Sequence, residues 1–205
     1  MSERFSMLRS LVGADFLTLG NAACGMGSIF ACLHYLGGGS PETIWIAFGL
    51  LPVALVFDFL DGAVARWRRR HSHLGADLDS LADIVSFGVA PAVLAYTLGM
   101  QGGWDVAILI YFVGCGISRL ARYNATSPEM VDGQRSKVTH YEGTPIPTSL
   151  ILVGILMVAM WMGAVHEQLW GGNLEIGAWT FHPISLLYAI SGTAMVSSKL
   201  KVPKP

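Results

Sequence analysis

The stretch DFLDGAVARWRRRHSHLGADLDSLAD, Asp58 to Asp83, carries five aspartates and four arginines in a chain that is only 13% charged. Apolar runs flank it on both sides. At 100° per residue, Asp58, Asp61, Gly62 and Ala65 fall on one face of a helix that ends near Arg66. Gly75, Asp79 and Asp83 share a face of a second helix that begins near Gly75 and runs back. The stretch therefore reads as a helical hairpin whose acids face one another at the edge of an apolar layer.

The rest of the chain agrees with that layer being a membrane. Of 205 residues, 53% are hydrophobic, and the mean hydropathy is positive, a balance that suits a polytopic membrane protein. A helix needs about 20 mostly apolar residues to cross the hydrocarbon. Six segments qualify, at about 14–36, 43–65, 78–100, 104–121, 146–166 and 176–198. They leave no room for a second folded unit, so the expectation is an all-α, six-span bundle with residues 1–205 as one domain. Residues 1–12 place Phe5, Leu8 and Val12 near one helical face, which suggests a short interfacial helix, with a disordered tail as the alternative. Asp15 and Asn21 interrupt the first apolar run and no A-x-A site follows, so this run is expected to be retained rather than cleaved.

Basic residues set the orientation, because short cytoplasmic loops retain Lys and Arg. All 13 lie before the first span, between the second and third, around the end of the fourth, or after the sixth. The alternate connections, GGGSPET, GMQGGW and HEQLWGGNLE, carry none. Both termini are expected in the cytoplasm, with 199–205 as a cytoplasmic tail and the acids opening to that side of the cell membrane. The formal net charge of −1 points to no further partner, and no nucleic acid is expected.

Counting 1.5 Å per residue, Asp58 and Asp83 sit about 12 Å from the cytoplasmic helix ends, with Asp61 and Asp79 nearer the surface. Ionised acids at that depth cost several kcal/mol each without compensation. Either most are protonated, or cations hold them. Oxygen-only ligation suits Mg²⁺ or Mn²⁺ rather than zinc. Gly62 and Gly75 remove bulk beside the acids, and Arg66 adds positive charge at the rim, so metal, phosphate and a bulky ligand fit together there. Asp77 falls off the shared face and is expected in solvent.

The run Asp58-x2-Asp61-Gly62-x2-Ala65-Arg66-x8-Gly75-x3-Asp79-x3-Asp83 resembles, at every fixed position, the signature of the CDP-alcohol phosphatidyltransferases. The segments LDSLADIVSFGVAPA (78–92), SRLARYN (118–124) and YEGTPIPTS (141–149) look like its phosphatidylserine-forming members. The resemblance implies that Asp58, Asp61 and Asp79 bind metal ions, with Asp83 a further candidate ligand. It implies that Gly62, Ala65 and Gly75 line a nucleotide pocket, and that Asp83 takes the acceptor's proton as general base. The substrates it implies are a CDP-linked lipid, CDP-diacylglycerol or CDP-archaeol, and L-serine, with CMP leaving and with the enzyme a homodimer.

Serine carries a carboxylate, so a cation near the acceptor is expected. Arg119 and Arg122, at i, i+3 near the end of the fourth span, suit either that carboxylate or a lipid phosphate. Ordinary positive-inside anchoring is the plainer alternative. Other acceptors, inositol, inositol phosphate or glycerol phosphate, use the same chemistry. Thr18 and Asn21 could bond the cytidine or its phosphate, or simply neighbouring helices. Intramembrane acids also mark ion pathways, which leaves a divalent-metal transporter as the rival class. The three cysteines, none at C-x-x-C spacing, read as packing residues. His182 is expected at the outer interface, five tryptophans form an outer belt, and Pro91 is expected to kink the third span.

Overall fold

The computed structural model describes residues 13–68, 73–126, 140–197 and 201–203. The expected interfacial helix at 1–12 lies outside the described residues. Helix α1 spans Gly13–Leu36 and α2 spans Thr43–Arg68. A third rod consists of α3 (His73–Asp83), a π-helical turn (Ile84–Val89) and α4 (Ala90–Thr97). Helix α5 spans Gly103–Thr126. Two shorter helices follow, each led in by a 3-10 turn: α6 (Leu150–Trp161) after Ile146–Ser149, and α7 (Leu186–Val196) after Pro183–Ser185.

Among the described residues, four helical rods are long and apolar enough to cross a membrane: Asp15–Leu36, Thr43–Val64, Leu74–Thr97 and Gly103–Ala125. The protein is a multi-pass, mostly helical membrane protein. Ile146–Trp161 and Pro183–Val196 are apolar but shorter, about 24 Å and 21 Å at the helical rise. The expected sixth span, 176–198, is corrected at its start. Leu174–Ile176 (β2) and Trp179–Phe181 (β3) pair as an antiparallel hairpin there, and the helix begins only after His182. Its two-residue loop opens on Gly177 at φ +69°, the left-handed geometry that such hairpin turns require. In the carboxyl-terminal segment, Lys201–Pro203 (β4) pairs with His140–Glu142 (β1).

Helix α1 packs along α2 and against the third rod, α5 packs on α7, and α6 reaches α4 and α2. The buried core runs through these contacts, with Phe87, Leu94, Phe112, Leu156 and Tyr188 among its fully enclosed side chains. Large apolar residues such as Phe16, Phe30, Phe59, Ile110, Ile151 and Ile190 point outward. In water that pattern would be a liability; against lipid tails it is the expected exterior.

The third rod carries its π-helical turn just ahead of Pro91. The amide of Ala90 donates to Val85 O, a five-residue step, so the chain widens by one residue just before the proline. Widening relieves the clash between the proline ring and the preceding turn. The same turn meets α1 closely. A Cβ on Gly25 would lie 2.8 Å from Ser86 Cα and 3.0 Å from Ser86 N, so backbone sits on backbone at this crossing.

At the opposite end of the bundle from the acid-rich stretch, Asp105 and His182 form a buried pair. Asp105 Oδ2 lies 2.6 Å from His182 Nδ1, and Asp105 Oδ1 accepts from the His182 backbone amide at 2.9 Å. His182 is thus a buried clasp between α5 and the start of α7, not the interfacial residue expected. Trp45, Trp104, Trp161, Trp170 and Trp179 are all exposed, as a belt requires.

Gly25→Val should force α1 away from the π-helical turn. Overpacking of this kind costs about 1–3 kcal/mol, and the apparent melting temperature of the detergent-solubilised protein should fall by roughly 2–10 °C. An unchanged melting curve would show that the crossing tolerates a side chain.

Candidate metal and phosphate site

The acid-bearing ends of α2 and α3 meet as their spacing predicts. Oxygens from Asp58, Asp61 and Asp79 all lie within 4.8 Å of one another. Asp61 is buried, and Asp58 and Asp79 are half-buried. Asp79 Oδ1 is enclosed by protein and has no hydrogen-bond partner among the described residues. A buried carboxylate oxygen left without a donor is costly, and three of these groups side by side repel. A hard divalent cation resolves both problems, because it takes carboxylate oxygens as ligands. The trio therefore fits Mg²⁺ or Mn²⁺ on the chemistry of its donors.

Asp83 is buried as well but stands outside that trio. Depth along the helices alone placed it in one tier with Asp58. On its α1 side, Asn21 Nδ2 donates to Asp83 Oδ1 at 3.1 Å. One turn earlier on α1, Thr18 Oγ1 donates to Asp61 Oδ2 at 2.8 Å. Both residues thus bond the acids of neighbouring helices. Their partners are the acids themselves, which the sequence alone had not paired with them.

Helix α1 presents a polar stripe that extends the Thr18–Asn21 pair by Asp15. Asp15, Thr18 and Asn21 recur every three residues, and all three are buried. Asp15 was visible only as an interruption of an apolar run; its charge bears on Asp61. The i, i+3, i+6 spacing of three polar residues on an otherwise apolar helix was the available signal.

Helix α5 is anchored to the same end of the bundle. Asn124 Oδ1 accepts from Ser80 Oγ at 3.1 Å, and its Nδ2 donates to Asp77 Oδ1 at 3.2 Å. Asp77 is exposed, as expected from its position off the acid face. These bonds bring the last turns of α5, with Arg119 half-buried and Arg122 exposed, alongside the helix that carries Asp79. Gly62 and Gly75 are half-buried beside the acids. Ala65 and Arg66 lie on the last turns of α2, and their side chains fall outside the described residues.

A sequence model of the CDP-alcohol phosphatidyltransferases matches residues 11–190. The chain belongs to that family. Its match takes in α1 to α6 and the first five residues of α7, and the family generally uses a divalent metal. A CDP-diacylglycerol–serine O-phosphatidyltransferase of Saccharomyces cerevisiae is 43% identical over 205 residues, covering 99% of this chain and 74% of the relative. A Bacillus subtilis protein of the same name is 30% identical over 190 residues, covering 91% and 87%. One from Mycobacterium tuberculosis is 37% identical over 155 residues, where the alignment spans 73% of this chain and 51% of the relative.

Two substitutions separate the metal trio from its surroundings. Asp79→Asn should weaken Mn²⁺ binding, measured by titration calorimetry of the purified protein with CDP present, by more than about 100-fold. Thr18→Val, which removes the hydroxyl that supports Asp61, should weaken it by roughly 10-fold. Equal Mn²⁺ affinity in Asp79→Asn and wild type would exclude this cluster as the metal site.

Proposed function

We propose that this enzyme transfers a phosphatidyl group from CDP-diacylglycerol to the hydroxyl of L-serine, giving phosphatidylserine and CMP. Two observations support the reading together: the Asp58–Asp61–Asp79 trio, and full-length similarity to relatives named for this reaction. The whole chain, residues 1–205, acts as one domain in this reading.

Asp58, Asp61 and Asp79 would hold the Mg²⁺ or Mn²⁺, with Asp83 a further candidate ligand. When bound, the metal supplies positive charge to the pyrophosphate oxygens and to the departing CMP. Gly62, Ala65 and Gly75 leave room for the nucleotide, and Arg66 stands at the rim. Asp83 serves as general base and takes the proton from the serine hydroxyl. The freed oxygen forms a bond to the lipid-side phosphorus as the bond from that phosphorus to the CMP oxygen breaks. Burial of Asp83 keeps bulk water from competing for the phosphoryl group. Arg119 and Arg122 would bind the serine carboxylate or a lipid phosphate, since a guanidinium suits either.

The acids lie at the end of the bundle that also carries Arg66, Arg68, Arg119 and Arg122. By the positive-inside rule that end faces the cytoplasm, with both termini there and the enzyme in the cell membrane. The reading keeps six spans. The two short helices cross a locally thinned bilayer, with exposed Trp161 and Trp179 anchoring their outer ends. It also extends to CDP-archaeol, which presents the same nucleotide head, and to a homodimer on family resemblance alone.

Membranes containing the protein, incubated with CDP-diacylglycerol, labelled serine and Mn²⁺, should yield labelled lipid and CMP in equal amounts. Inositol and glycerol phosphate in parallel should yield none. Asp83→Asn should lower kcat by at least 100-fold, the scale of a lost general base. Arg119→Ala should raise the KM for serine by about 10-fold, the scale of one lost charged hydrogen bond, while the KM for CDP-diacylglycerol stays within about twofold. Divalent-cation uptake into sealed vesicles without CMP release would favour a transporter and sink the reading.

A further inference from the structure

Asn21 has no exposed surface (0%) and touches the third rod twice. Its side-chain Nδ2 donates to Asp83 Oδ1 at 3.1 Å, and its backbone carbonyl accepts from Ser86 Oγ at 2.9 Å. One residue of α1 therefore grips both the candidate base and the π-helical turn that starts immediately after it. Asp83 and Asn21 are 62 residues apart in the chain, so this contact exists only in the folded bundle.

A carboxylate on a helix can rotate about its side-chain bonds and offer either oxygen in several directions. Close by, the trio's charges give Asp83 reason to turn away, whereas proton abstraction requires one particular direction. The Asn21 amide occupies Oδ1 and leaves Oδ2 as the oxygen for the incoming hydroxyl. An ionised carboxylate accepts but cannot donate, so the amide must present its nitrogen to Asp83. That leaves Asn21 Oδ1, which is buried and without a partner among the described residues. A carbonyl oxygen cannot bond an ionised phosphate, so the spare capacity of this residue does not suit a pyrophosphate ligand.

We propose that Asn21 is a positioning residue for the transfer step: its amide orients Asp83 so that Oδ2 meets the acceptor hydroxyl. The proposal rests on Asp83 being the general base, as proposed above. The two ties of Asn21 can be cut separately. Ser86→Ala removes the bond to the backbone and leaves the amide, whereas Asn21→Ala removes the amide and leaves the carbonyl.

The purified full chain in detergent, with Mn²⁺, CDP-diacylglycerol and serine, tests it by steady-state kinetics and by calorimetric titration with CDP. Asn21→Ala should lower kcat by about 10–100-fold, since a small misplacement of a reacting group costs on that order. The KM for each substrate and the affinity for CDP should stay within about twofold. Ser86→Ala should keep kcat within about twofold of wild type. In an Asp83→Asn background, Asn21→Ala should lower the residual rate no further, because a residue acting through another has nothing left to act on.

An unchanged kcat in Asn21→Ala overturns the proposal. So does a tenfold loss of CDP affinity, which would make Asn21 a nucleotide ligand, or an equal loss of kcat in Ser86→Ala, which would make the effect one of packing. Should Asn21→Ala aggregate, Asn21→Ser is read by the same criteria; aggregation of both assigns the residue to folding and also overturns it. A wild-type protein that makes no phosphatidylserine, or an Asp83→Asn variant with undiminished kcat, instead removes the functional reading beneath the proposal.

Discussion

Carboxylates gathered inside an apolar bundle repel one another and lose the water that would stabilise them, and the local architecture answers that problem. Three of the four brought together from α2 and α3 lie within 4.8 Å, close enough to share one hard cation. The fourth, Asp83, accepts a hydrogen bond from the Asn21 amide. Without such partners the burial of these groups would cost several kcal/mol each and would push the helices apart. The helix ends that carry them are accordingly tied to their neighbours by polar side chains.

Those ties come from helices that carry none of the signature acids. Helix α1 supplies Thr18 to Asp61 and Asn21 to Asp83, and α5 supplies Asn124 to Ser80 and Asp77. In lipid there is little hydrophobic drive to hold helices together, so close backbone approach and interhelical hydrogen bonds do much of that work. The Gly25–Ser86 crossing provides the first beside Asn21, and the Ser86 hydroxyl provides the second. The π-helical turn fits the same logic. It directly follows Asp83, and by widening the helix ahead of Pro91 it keeps the rod continuous through the crossing with α1.

Much of the site was legible before any coordinates. Asp58, Asp61 and Asp79 share helix faces by spacing alone, and the structure brings them together. Asp77 was legible as an outsider for the same reason. Asp15 was not, because one acid at the start of an apolar run looks like an interruption until its i+3 partners are seen to be buried. The Asp105–His182 clasp was also hidden, since nothing local links residues 77 positions apart. Residues 176–181 of the hairpin were read as the start of a helix because its apolar residues are too few to reveal a period.

By itself the sequence determined that this is a multi-pass helical membrane protein, which acids share a face, and which family it belongs to. Hydropathy and the helical period are local properties, and the family signature occupies one hairpin. Only the tertiary structure decided how those helices rotate against α1 and α5. That rotation gives Asp61 and Asp83 different partners and leaves Asp79 Oδ1 without one among the described residues. Contacts of this kind depend on depth and angle between elements distant in the chain, and no pattern within a single helix encodes them.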